Sequence, residues 1–419
     1  MSRQRIAIVG TGISGLTAAW LLHRQHDITV WEASHRVGGH TATVDVALSG
    51  RTYAVDTGFI VYNDRTYPNF IRLMDALGVA SKPTQMSFSV HCDETGLEYC
   101  GSNLNGLFAQ RSNVLRPRFW RLIRDILRFN RQAVDDMDAG RVNEHDTLGS
   151  YLAAHGYSDV FINQYLVPMG AAIWSASTRT MLDFPLHFFL QFFRNHGLLD
   201  IRNRPQWRTI VGGSREYLQP LTASFADRIH VNSPVESIRR IAEGVELRVQ
   251  GQWQAFDQVV LACHSDQALA LLSDATAEEA AVLGAVAYQD NDVILHTDTA
   301  LLPKRERAWA CWNYHVDRPR QSHAVLTYNM NLLQGIEAPE TFCVTLNETH
   351  RIDESRILGR YRYAHPVFTP AGIAAQQQLS RMNGQSRAWF CGAWARNGFH
   401  EDGVVSALAV AQALGADWP

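Results

Sequence analysis

Three glycines near the start of the chain have the spacing of a site that can hold a pyrophosphate. They form a G-x-G-x-x-G motif at Gly10, Gly12 and Gly15. The motif separates an apolar run, Ile6–Val9, from an Ala- and Leu-rich stretch, Leu16–Leu22, which predicts a buried strand, a tight turn and a helix. The first glycine permits the turn, the second lets the backbone approach a phosphate, and the third allows close helix packing. The free N–H groups at the helix start therefore favour a dinucleotide ligand.

An acidic residue ends the second predicted strand, Ile28–Trp31. This residue, Glu32, can accept hydrogen bonds from the ribose hydroxyls of an adenosine, whereas it would repel a 2′-phosphate. An NADP-type ligand is therefore disfavoured. The sequence has no second G-x-G-x-x-G unit, so a separate NAD(P)H domain is not expected.

The residues after this carboxylate narrow the ligand to a flavin. Arg36 follows Glu32 by four positions and precedes the glycine pair Gly38 and Gly39. A guanidinium there can donate two hydrogen bonds to a pyrophosphate, and the glycines let the chain pass close beneath the ligand. The E-x3-R-x-G-G pattern resembles the signature of the flavin amine oxidase and phytoene desaturase-like superfamily, in which the cofactor is FAD.

Three later segments extend this resemblance along most of the chain. The first, Val55–Ile60, is similar to the family segment that lines the isoalloxazine ring. In the second, Val231–Ile238, the resemblance implies that the backbone of Val235 contacts the adenine. In the third, Ala388–Gly403, it implies a helix beginning at Val404 whose dipole stabilises negative charge at the pyrimidine edge of the flavin. The residues implied to bind FAD are Gly10, Gly12, Ile13, Ser14, Gly15, Glu32, Ala33, Arg36, Gly38, Gly39, His40, Thr41, Gly58, Phe59, Ile60, Val235, Gly392, Gly403 and Val404.

The residues of the motifs RVGGHT, DTGF and GFHEDG resemble those of a bacterial subgroup of NAD/FAD-binding proteins. Its members are associated with cyclopropane-fatty-acid-synthase-like methyltransferases, and it is similar to flavin enzymes that desaturate or isomerise fatty acyl chains. The resemblance implies an FAD-dependent oxidoreductase that oxidises a fatty acyl chain by hydride transfer to flavin N5, with a lipid methyltransferase as a partner. A redox-neutral double-bond isomerase, an amine oxidase and a non-enzymatic flavin-binding protein are the alternatives.

One departure from the family pattern argues against plain amine oxidation. Amine oxidases of this superfamily usually carry a lysine that a water molecule bridges to flavin N5. The matching stretch, Asn291–His296, has no lysine, and Lys304 lies further on in a predicted charged turn.

Candidate proton acceptors and substrate-lining residues come from residue type and from this resemblance. His400 and Glu401 lie in the segment that the family places near the flavin, so they are the candidate catalytic residues. The aromatic stretch Asp183–Arg194 predicts either a tunnel for an apolar chain or ordinary core. The candidate substrate-lining residues are Trp174, His187, Trp312, Tyr314 and Tyr328.

A predicted helix, Pro117–Val134, carries arginines at helical spacing beside a large apolar face. It can be an interfacial helix that contacts anionic lipid, or an amphipathic helix with an ordinary solvated face. Both interpretations remain open at this point. The arginines are Arg121, Arg124, Arg128 and Arg131.

Composition sets the broad class of the protein. The 419 residues are 46% hydrophobic and 19% charged with a net charge of −3, which is typical of a globular protein and gives no attraction to nucleic acid. The six cysteines lack CxxC spacing and no Cys/His group has metal-ligand spacing, so no metal is expected. We expect a cytoplasmic protein that acts on a small-molecule or lipid-like substrate, and contact with the inner face of the membrane is expected only if the arginine helix is interfacial.

The fold class that these patterns predict is α/β. A Rossmann-like FAD-binding domain with a parallel sheet would receive an inserted α+β substrate domain and a helical region. Strand-like runs at 85–90, 324–328 and 341–346 predict an antiparallel sheet in the substrate domain. The predicted ranges are 1–75, 205–270 and 380–419 for the FAD-binding domain, 76–114 and 271–379 for the substrate domain, and 115–204 for the helical subdomain.

Overall fold

The structure is a computed structural model. It describes residues 2–143, 145–174, 177–200, 202–316 and 325–418. Within those residues no helix is both long enough and apolar enough to cross a membrane.

The strands in the described part of the chain belong to five sheets. In chain order they are β1 (Arg5–Val9), β2 (Asp27–Trp31), β3 (Thr43–Leu48), β4 (Arg51–Asp56), β5 (Tyr62–Asn63), β6 (Ser81–Thr84), β7 (Phe88–Cys92), β8 (Leu97–Cys100), β9 (Trp207–Ile210), β10 (Ile229–His230), β11 (Val235–Ile241), β12 (Gly244–Val249), β13 (Gln252–Phe256), β14 (Gln258–Leu261), β15 (Ala287–His296), β16 (Trp312–Val316), β17 (Leu326–Asn329), β18 (Cys343–Leu346), β19 (Ile357–Val367) and β20 (Ala388–Phe390).

The helices cover the faces of these sheets and form a separate helical region. They are α1 (Ile13–Leu22), α2 (Pro68–Leu77), α3 (Leu104–Leu107), α4 (Pro117–Asp138), α5 (Leu148–Ala154), α6 (Asp159–Phe161), α7 (Val167–Trp174), α8 (Thr178–Leu182), α9 (Leu186–Asn195), α10 (Leu218–Thr222), α11 (Ser265–Leu271), α12 (Ala277–Gly284), α13 (Met330–Gln334), α14 (Pro370–Met382) and α15 (His400–Ala413).

A five-stranded parallel sheet forms the centre of the predicted FAD-binding domain. Its order is β10-β2-β1-β14-β20, so the sheet takes strands from each of the three predicted segments. Its central strands are buried and apolar because helices cover one face and the β11–β13 sheet covers the other. The predicted strand, turn, helix and second strand at the start of the chain are confirmed as β1, α1 and β2.

A seven-stranded sheet forms the predicted substrate domain, in the order β19-β15-β18-β17-β16-β7-β8. It is mixed rather than purely antiparallel, since β7 runs parallel to β16. The predicted strand at 85–90 is wrong in its bounds, because the chain leaves one sheet at β6 and joins another at β7. The predicted strand at 324–328 is β17, although residue 324 itself lies outside the described residues.

The predicted helical region is confirmed, with α4 to α9 around one apolar core. Helix α4 places Phe119, Leu122 and Phe129 in this core and exposes its arginines. The aromatic stretch that precedes residue 195 forms α9, whose Phe189 and Phe193 are fully buried.

Helix α15 begins earlier than predicted, at His400 rather than at Val404. The Asp402 carboxylate accepts a hydrogen bond from the Phe399 N–H, which caps the helix at that point. His400 and Glu401 therefore lie in the first helical turn, and their side chains have fixed directions.

Candidate active site

The glycine motif forms a compact turn between β1 and α1. Gly10 has a φ of +103°, which favours glycine, and its N–H donates to the Trp31 carbonyl at 2.8 Å. A Cβ on Gly15 would lie 2.0 Å from the Gly10 carbonyl oxygen. These two glycines therefore allow α1 to start directly against the end of β1.

Gly12 serves a different purpose from its two neighbours. It has an ordinary φ of −64°, and a Cβ placed there would meet no atom of the described residues within 4 Å. Gly12 is also the N-cap of α1, and no side chain caps this helix. Open space beside uncapped N–H groups at a helix N-terminus is the arrangement that binds a pyrophosphate.

Two charged residues flank this turn. The Glu32 carboxylate accepts hydrogen bonds from the backbone N–H of Thr11 at 3.0 Å and from that of Ser34 at 2.8 Å. The Arg36 guanidinium donates to the carbonyl oxygens of Gly39 at 2.7 Å and Thr41 at 2.9 Å. Within the described part of the chain Arg36 forms no ion pair, so its charge is available to a phosphate.

The segment predicted to meet the adenine lies against Glu32. The Ser233 N–H donates to the Glu32 carbonyl at 2.9 Å, and Val235 packs in the same core cluster as Trp31. Ala33 is exposed in the loop that follows Glu32. The structure thus brings the predicted adenosine-binding residues to the carboxyl ends of β1 and β2.

The helix N-termini of α1 and α15 meet at this site. A Cβ on Gly403 would lie 2.7 Å from Ile13 Cγ2 and 2.8 Å from Ser14 Oγ, so only glycine allows this approach. Val404 is fully buried beside it, and the Gly392 N–H donates to Ser406 Oγ at 3.0 Å. Two positive dipole ends therefore point into one region, where they can stabilise an anionic ligand.

The segment Gly58–Ile60 joins the glycine pair to α15. The Phe59 N–H donates to the His40 carbonyl at 2.8 Å, and a Cβ on Gly58 would lie 2.1 Å from that oxygen. The Phe59 ring stacks on His400 with 3.6 Å between ring centroids. The segment Gly58–Ile60 thus contacts both the residue that follows the glycine pair and the start of α15.

His400 is held as a neutral imidazole. Its Nε2 lies 3.2 Å from Thr41 Oγ1 and 3.3 Å from the Tyr217 hydroxyl, and these two oxygens are hydrogen-bonded to each other. Burial lowers the pKa of His400 to about 3. Because two hydroxyl groups already contact its Nε2, His400 is better suited to holding the loop of Thr41 in place than to accepting a proton from a substrate.

A histidine cluster that the sequence did not reveal faces the same region. The ring of His40 lies 5.5 Å from that of His365 and 6.1 Å from that of His264, measured between centroids. Burial, and then the neighbouring histidines, lower the pKa of His40 well below its usual value. The buried Nε2 of His40 has no hydrogen-bond partner among the described residues, so a ligand can bind there.

Comparison with known proteins decides the family. The family model for flavin containing amine oxidoreductases matches residues 13–330. The chain belongs to this family. A Mycobacterium tuberculosis protein with the provisional name of flavin-containing monoamine oxidase is 28% identical over 264 residues, which are 60% of this chain and 55% of that protein. The chain thus spans about half the length of the curated relatives it matches.

Solved structures match the whole fold of this chain at low identity. A structure provisionally named protoporphyrinogen oxidase, from Exiguobacterium sp. 255-15, has a TM-score of 0.70 at 18% identity and covers 99% of both chains. The CLA-producing fatty acid isomerase of P. acnes has a TM-score of 0.67 at 17% identity, covering 96% of this chain and 97% of its own. At these identities the likeness shows the fold alone.

The cofactor of the flavin amine oxidoreductases is FAD, and the described residues fit it. Four features leave room or hydrogen-bonding capacity that the described protein atoms do not use. They are the space at Gly12, the uncapped N-terminus of α1, the meeting of α1 and α15 at Gly403, and Nε2 of His40. The individual assignments of residues to parts of FAD stay predictions.

Glu401, which the sequence predicts as a proton acceptor, has both carboxylate oxygens engaged by the start of α2. Its Oε1 accepts hydrogen bonds from the backbone N–H of Asn69 at 3.1 Å and from the side-chain amide of Asn69 at 2.7 Å. Its Oε2 accepts from the Phe70 N–H at 2.8 Å. The carboxylate thus caps the first turn of α2, a helix that has no cap from its own N-cap residue.

Removing this cap is expected to lower stability and leave flavin reduction intact. In Glu401→Ala the buried N–H groups of α2 lose their acceptor, so the free energy of unfolding should fall by about 1–3 kcal/mol. Glu401→Gln keeps one acceptor oxygen and should lose less. Urea unfolding and stopped-flow flavin reduction of FAD-saturated protein measure the two effects. A loss of reduction rate without a loss of stability would restore Glu401 as a catalytic candidate.

The candidate substrate-lining residues separate into three groups. Trp312 and Tyr328 form a cross-strand pair with 5.3 Å between their ring centroids. Trp174 lies in the helical core. The indole N–H groups of Trp174 and Trp312 are buried and have no hydrogen-bond partner among the described residues. Tyr314 is a fully packed core residue at 2% exposure. His187 is exposed on α9, which argues against its predicted role at a buried site.

The pairing of β7 with β16 brings together a His–Asp cluster that residue spacing in the sequence did not predict. His91 and His315 are paired in register on β7 and β16, and both approach Asp93, although 222 residues separate Asp93 from His315. The three could offer ligand atoms to a metal. Their rings, however, stack within 12° of parallel, and Arg351 lies 3.3 Å from Asp93. Lone pairs of parallel rings do not converge on one ion, so the arrangement is that of an ion-pair cluster.

Proposed function

We propose that this protein is an FAD-dependent oxidoreductase that removes a hydride from an apolar, acyl-like chain. The observation that carries the proposal is an aromatic layer that extends from the helical region to the start of α15. Trp174 lies 4.7 Å from Phe192, and Phe192 lies 5.2 Å from Phe399, all between ring centroids. Phe399 is the N-cap of α15, next to His400. An apolar chain bound along this layer would end at the flavin surface.

The position of the two lysines favours this class of substrate over an amine. Lys82 donates from Nζ to the Gly335 carbonyl at 3.3 Å, and Lys304 is exposed in the predicted turn. The strand that carries the family lysine, β15, instead has the fully buried Asn291, whose side-chain amide lies 3.2 Å from His365 Nδ1. The polar side of the site is thus built from neutral imidazoles.

The reaction needs positioning more than it needs a strong base. When bound, FAD accepts a hydride at N5. The chain's own contribution would be orientation, because a substrate lying along the aromatic layer would direct its end towards the flavin, and hydride transfer requires a separation of about 3–3.5 Å. The chain also excludes water through the packed ring of Phe399. Because hydride removal makes the neighbouring proton strongly acidic, a weak base is sufficient to accept it, and Nε2 of His40, which has no partner among the described residues, is the candidate acceptor.

Anaerobic mixing with long-chain fatty acids and acyl esters tests this proposal. The flavin absorbance near 450 nm should bleach with an acyl substrate and not with a panel of primary amines and amino acids. His40→Asn should slow the bleaching, and His187→Gln, which changes an exposed histidine, should not. Bleaching by amines alone would reject the acyl proposal.

Two alternatives use the same flavin site. The named relative in M. tuberculosis favours an amine oxidase, which would release hydrogen peroxide in air with an amine. The shared fold with the P. acnes isomerase favours a redox-neutral double-bond shift, which would turn over fully without an electron acceptor. Mass spectrometry of the product under anaerobic conditions separates desaturation from isomerisation, because only desaturation lowers the mass.

A further inference from the structure

Exposed apolar side chains concentrate on one part of the surface. Of the ten large apolar side chains exposed among the described residues, five lie between positions 104 and 127. Leu115 is 85% exposed and Leu104 is 75% exposed. A patch of this kind usually marks an interaction site. We call the surface the α4 face; its apolar residues are Leu104, Val114, Leu115, Trp120 and Leu127.

The α4 face is also strongly basic. Positions 111 to 131 contain seven arginines and one acidic residue, whereas the whole chain has a net charge of −3. The acidic residue, Asp125, is buried and accepts hydrogen bonds from the backbone and side chain of Ser158. The arginines are Arg111, Arg116, Arg118, Arg121, Arg124, Arg128 and Arg131.

Most of this positive charge is unpaired. Arg124 and Arg128 approach Asp125 at 3.9 Å and 3.7 Å, and the Arg128 guanidinium lies over the Tyr157 ring. Arg121 and Arg131 are exposed and form no ion pair within the described residues. The face therefore has several cations whose natural partner is an external anion.

Apolar and basic groups share one shallow groove of about 480 Å³. Trp120 is oriented along it by a hydrogen bond from Nε1 to the Val114 carbonyl at 2.8 Å. An indole and leucines with guanidinium groups at their rim are the composition of helices that lie in the headgroup region of a bilayer. The residues lining the groove are Val114, Leu115, Pro117, Trp120, Arg121 and Arg124.

We propose that the α4 face docks the protein on the surface of an anionic phospholipid bilayer. The arginines would contact lipid phosphates while Leu115, Leu104 and Trp120 enter the interface. Charge complementarity favours this partner over a second copy of the chain, because two copies of so basic a face would repel each other. The opposite side of α4 packs into the helical core with Trp174, so docking would bring that core to the membrane. The inference does not depend on the proposed substrate, since vesicle binding needs no turnover.

Co-sedimentation of FAD-loaded protein with vesicles tests the proposal. Binding is expected with vesicles of phosphatidylglycerol and phosphatidylcholine, to be at least tenfold weaker with phosphatidylcholine alone, and to fall as salt is raised. The double variant Arg121→Glu/Arg124→Glu should reduce binding to the anionic vesicles at least tenfold. Leu115→Ser should also weaken binding. The difference in binding between this variant and the unmodified protein should persist at high salt, where most of the electrostatic attraction has been removed.

Matched substitutions elsewhere control for net charge and hydrophobicity. Arg51→Glu/Arg381→Glu makes the same charge change at exposed positions outside the α4 face, and Leu358→Ser removes an exposed leucine. Both should bind vesicles as the unmodified protein does. Equal losses in the control and test variants, or no preference for anionic vesicles, would overturn the proposal. So would a lipid-free dimer that Leu115→Ser dissociates, because the face would then be a protein interface.

Discussion

Replacing Gly12 with valine is expected to yield a folded protein that does not retain FAD. The backbone at Gly12 has a φ that any residue adopts, and a Cβ there meets no atom of the described residues within 4 Å. The added side chain would instead fill the space in which we place the pyrophosphate. FAD affinity should fall at least about a hundredfold, which is about 3 kcal/mol. Titration of the apoprotein, followed by quenching of FAD fluorescence, measures this loss.

Gly15→Ala is the matched substitution within the same motif. Its Cβ would lie 2.0 Å from the Gly10 carbonyl oxygen, so α1 could not keep its contact with β1. The thermal midpoint of the apoprotein should therefore fall much further in Gly15→Ala than in Gly12→Val, which loses only the N-cap preference for glycine over valine. An unchanged FAD affinity in Gly12→Val would show that the pyrophosphate does not lie at the N-terminus of α1.

Acidification from pH 7 to pH 5 is expected to destabilise the protein through its buried histidines. Burial lowers the pKa of His400 to about 3 and those of His196, His296 and His365 to about 4. The unfolded chain takes up a proton on each of these side chains near pH 6.5, whereas the folded protein does not. Their contribution to stability is therefore complete above pH 7 and is lost as the pH falls, by about 2 kcal/mol each at pH 5.

Two buried carboxyl groups oppose this trend. Burial raises the pKa of Asp56 and of Asp402 to about 6, so the folded protein binds their protons more readily than the unfolded chain does. Acidification through pH 6 favours the folded state by about 1 kcal/mol for each. Four histidines outweigh two aspartates, so net stability should decrease towards pH 5. Urea unfolding of FAD-saturated protein at pH 7, 6 and 5 measures the slope.

Substituting a single histidine tests whether that side chain contributes to the pH dependence of stability. His400→Gln should make the pH dependence shallower by about 2 kcal/mol between pH 7 and pH 5, because the glutamine does not titrate. If this variant keeps the slope of the unmodified protein, His400 is not the neutral, buried ring that its contacts with Thr41 and Tyr217 imply.

Residue spacing and local backbone preferences were sufficient to predict the strand, turn and helix at the nucleotide-binding end of the site. Gly10, Gly15 and Glu32 act through backbone conformation and the order of strand, turn and helix, all of which are encoded within about thirty residues. The predicted strands and helix there agree with the structure, as does the parallel sheet assembled from three separate segments. The family followed from the same residues, and the family model confirms it.

Side-chain partners could not be predicted in the same way. Glu401 carries the residue type of a proton acceptor, but its hydrogen bonds go to α2, more than 300 residues earlier in the chain. The His40 cluster likewise joins the glycine pair, the loop after β14 and the strand β19. The parallel pairing of β7 with β16 left no signal in either strand alone.

By itself, then, the sequence determined the cofactor site, the FAD-binding sheet and the arginine helix, because glycine spacing, apolar runs and helical periodicity depend only on neighbouring residues. Only the tertiary structure decided which polar groups are engaged and which are available. It placed the Glu401 carboxylate at the start of α2, left Nε2 of His40 without a partner among the described residues, and exposed leucines beside the arginines of α4. The physical reason is that hydrogen bonding and burial depend on distance in space, and residues that meet there are hundreds of positions apart in the chain.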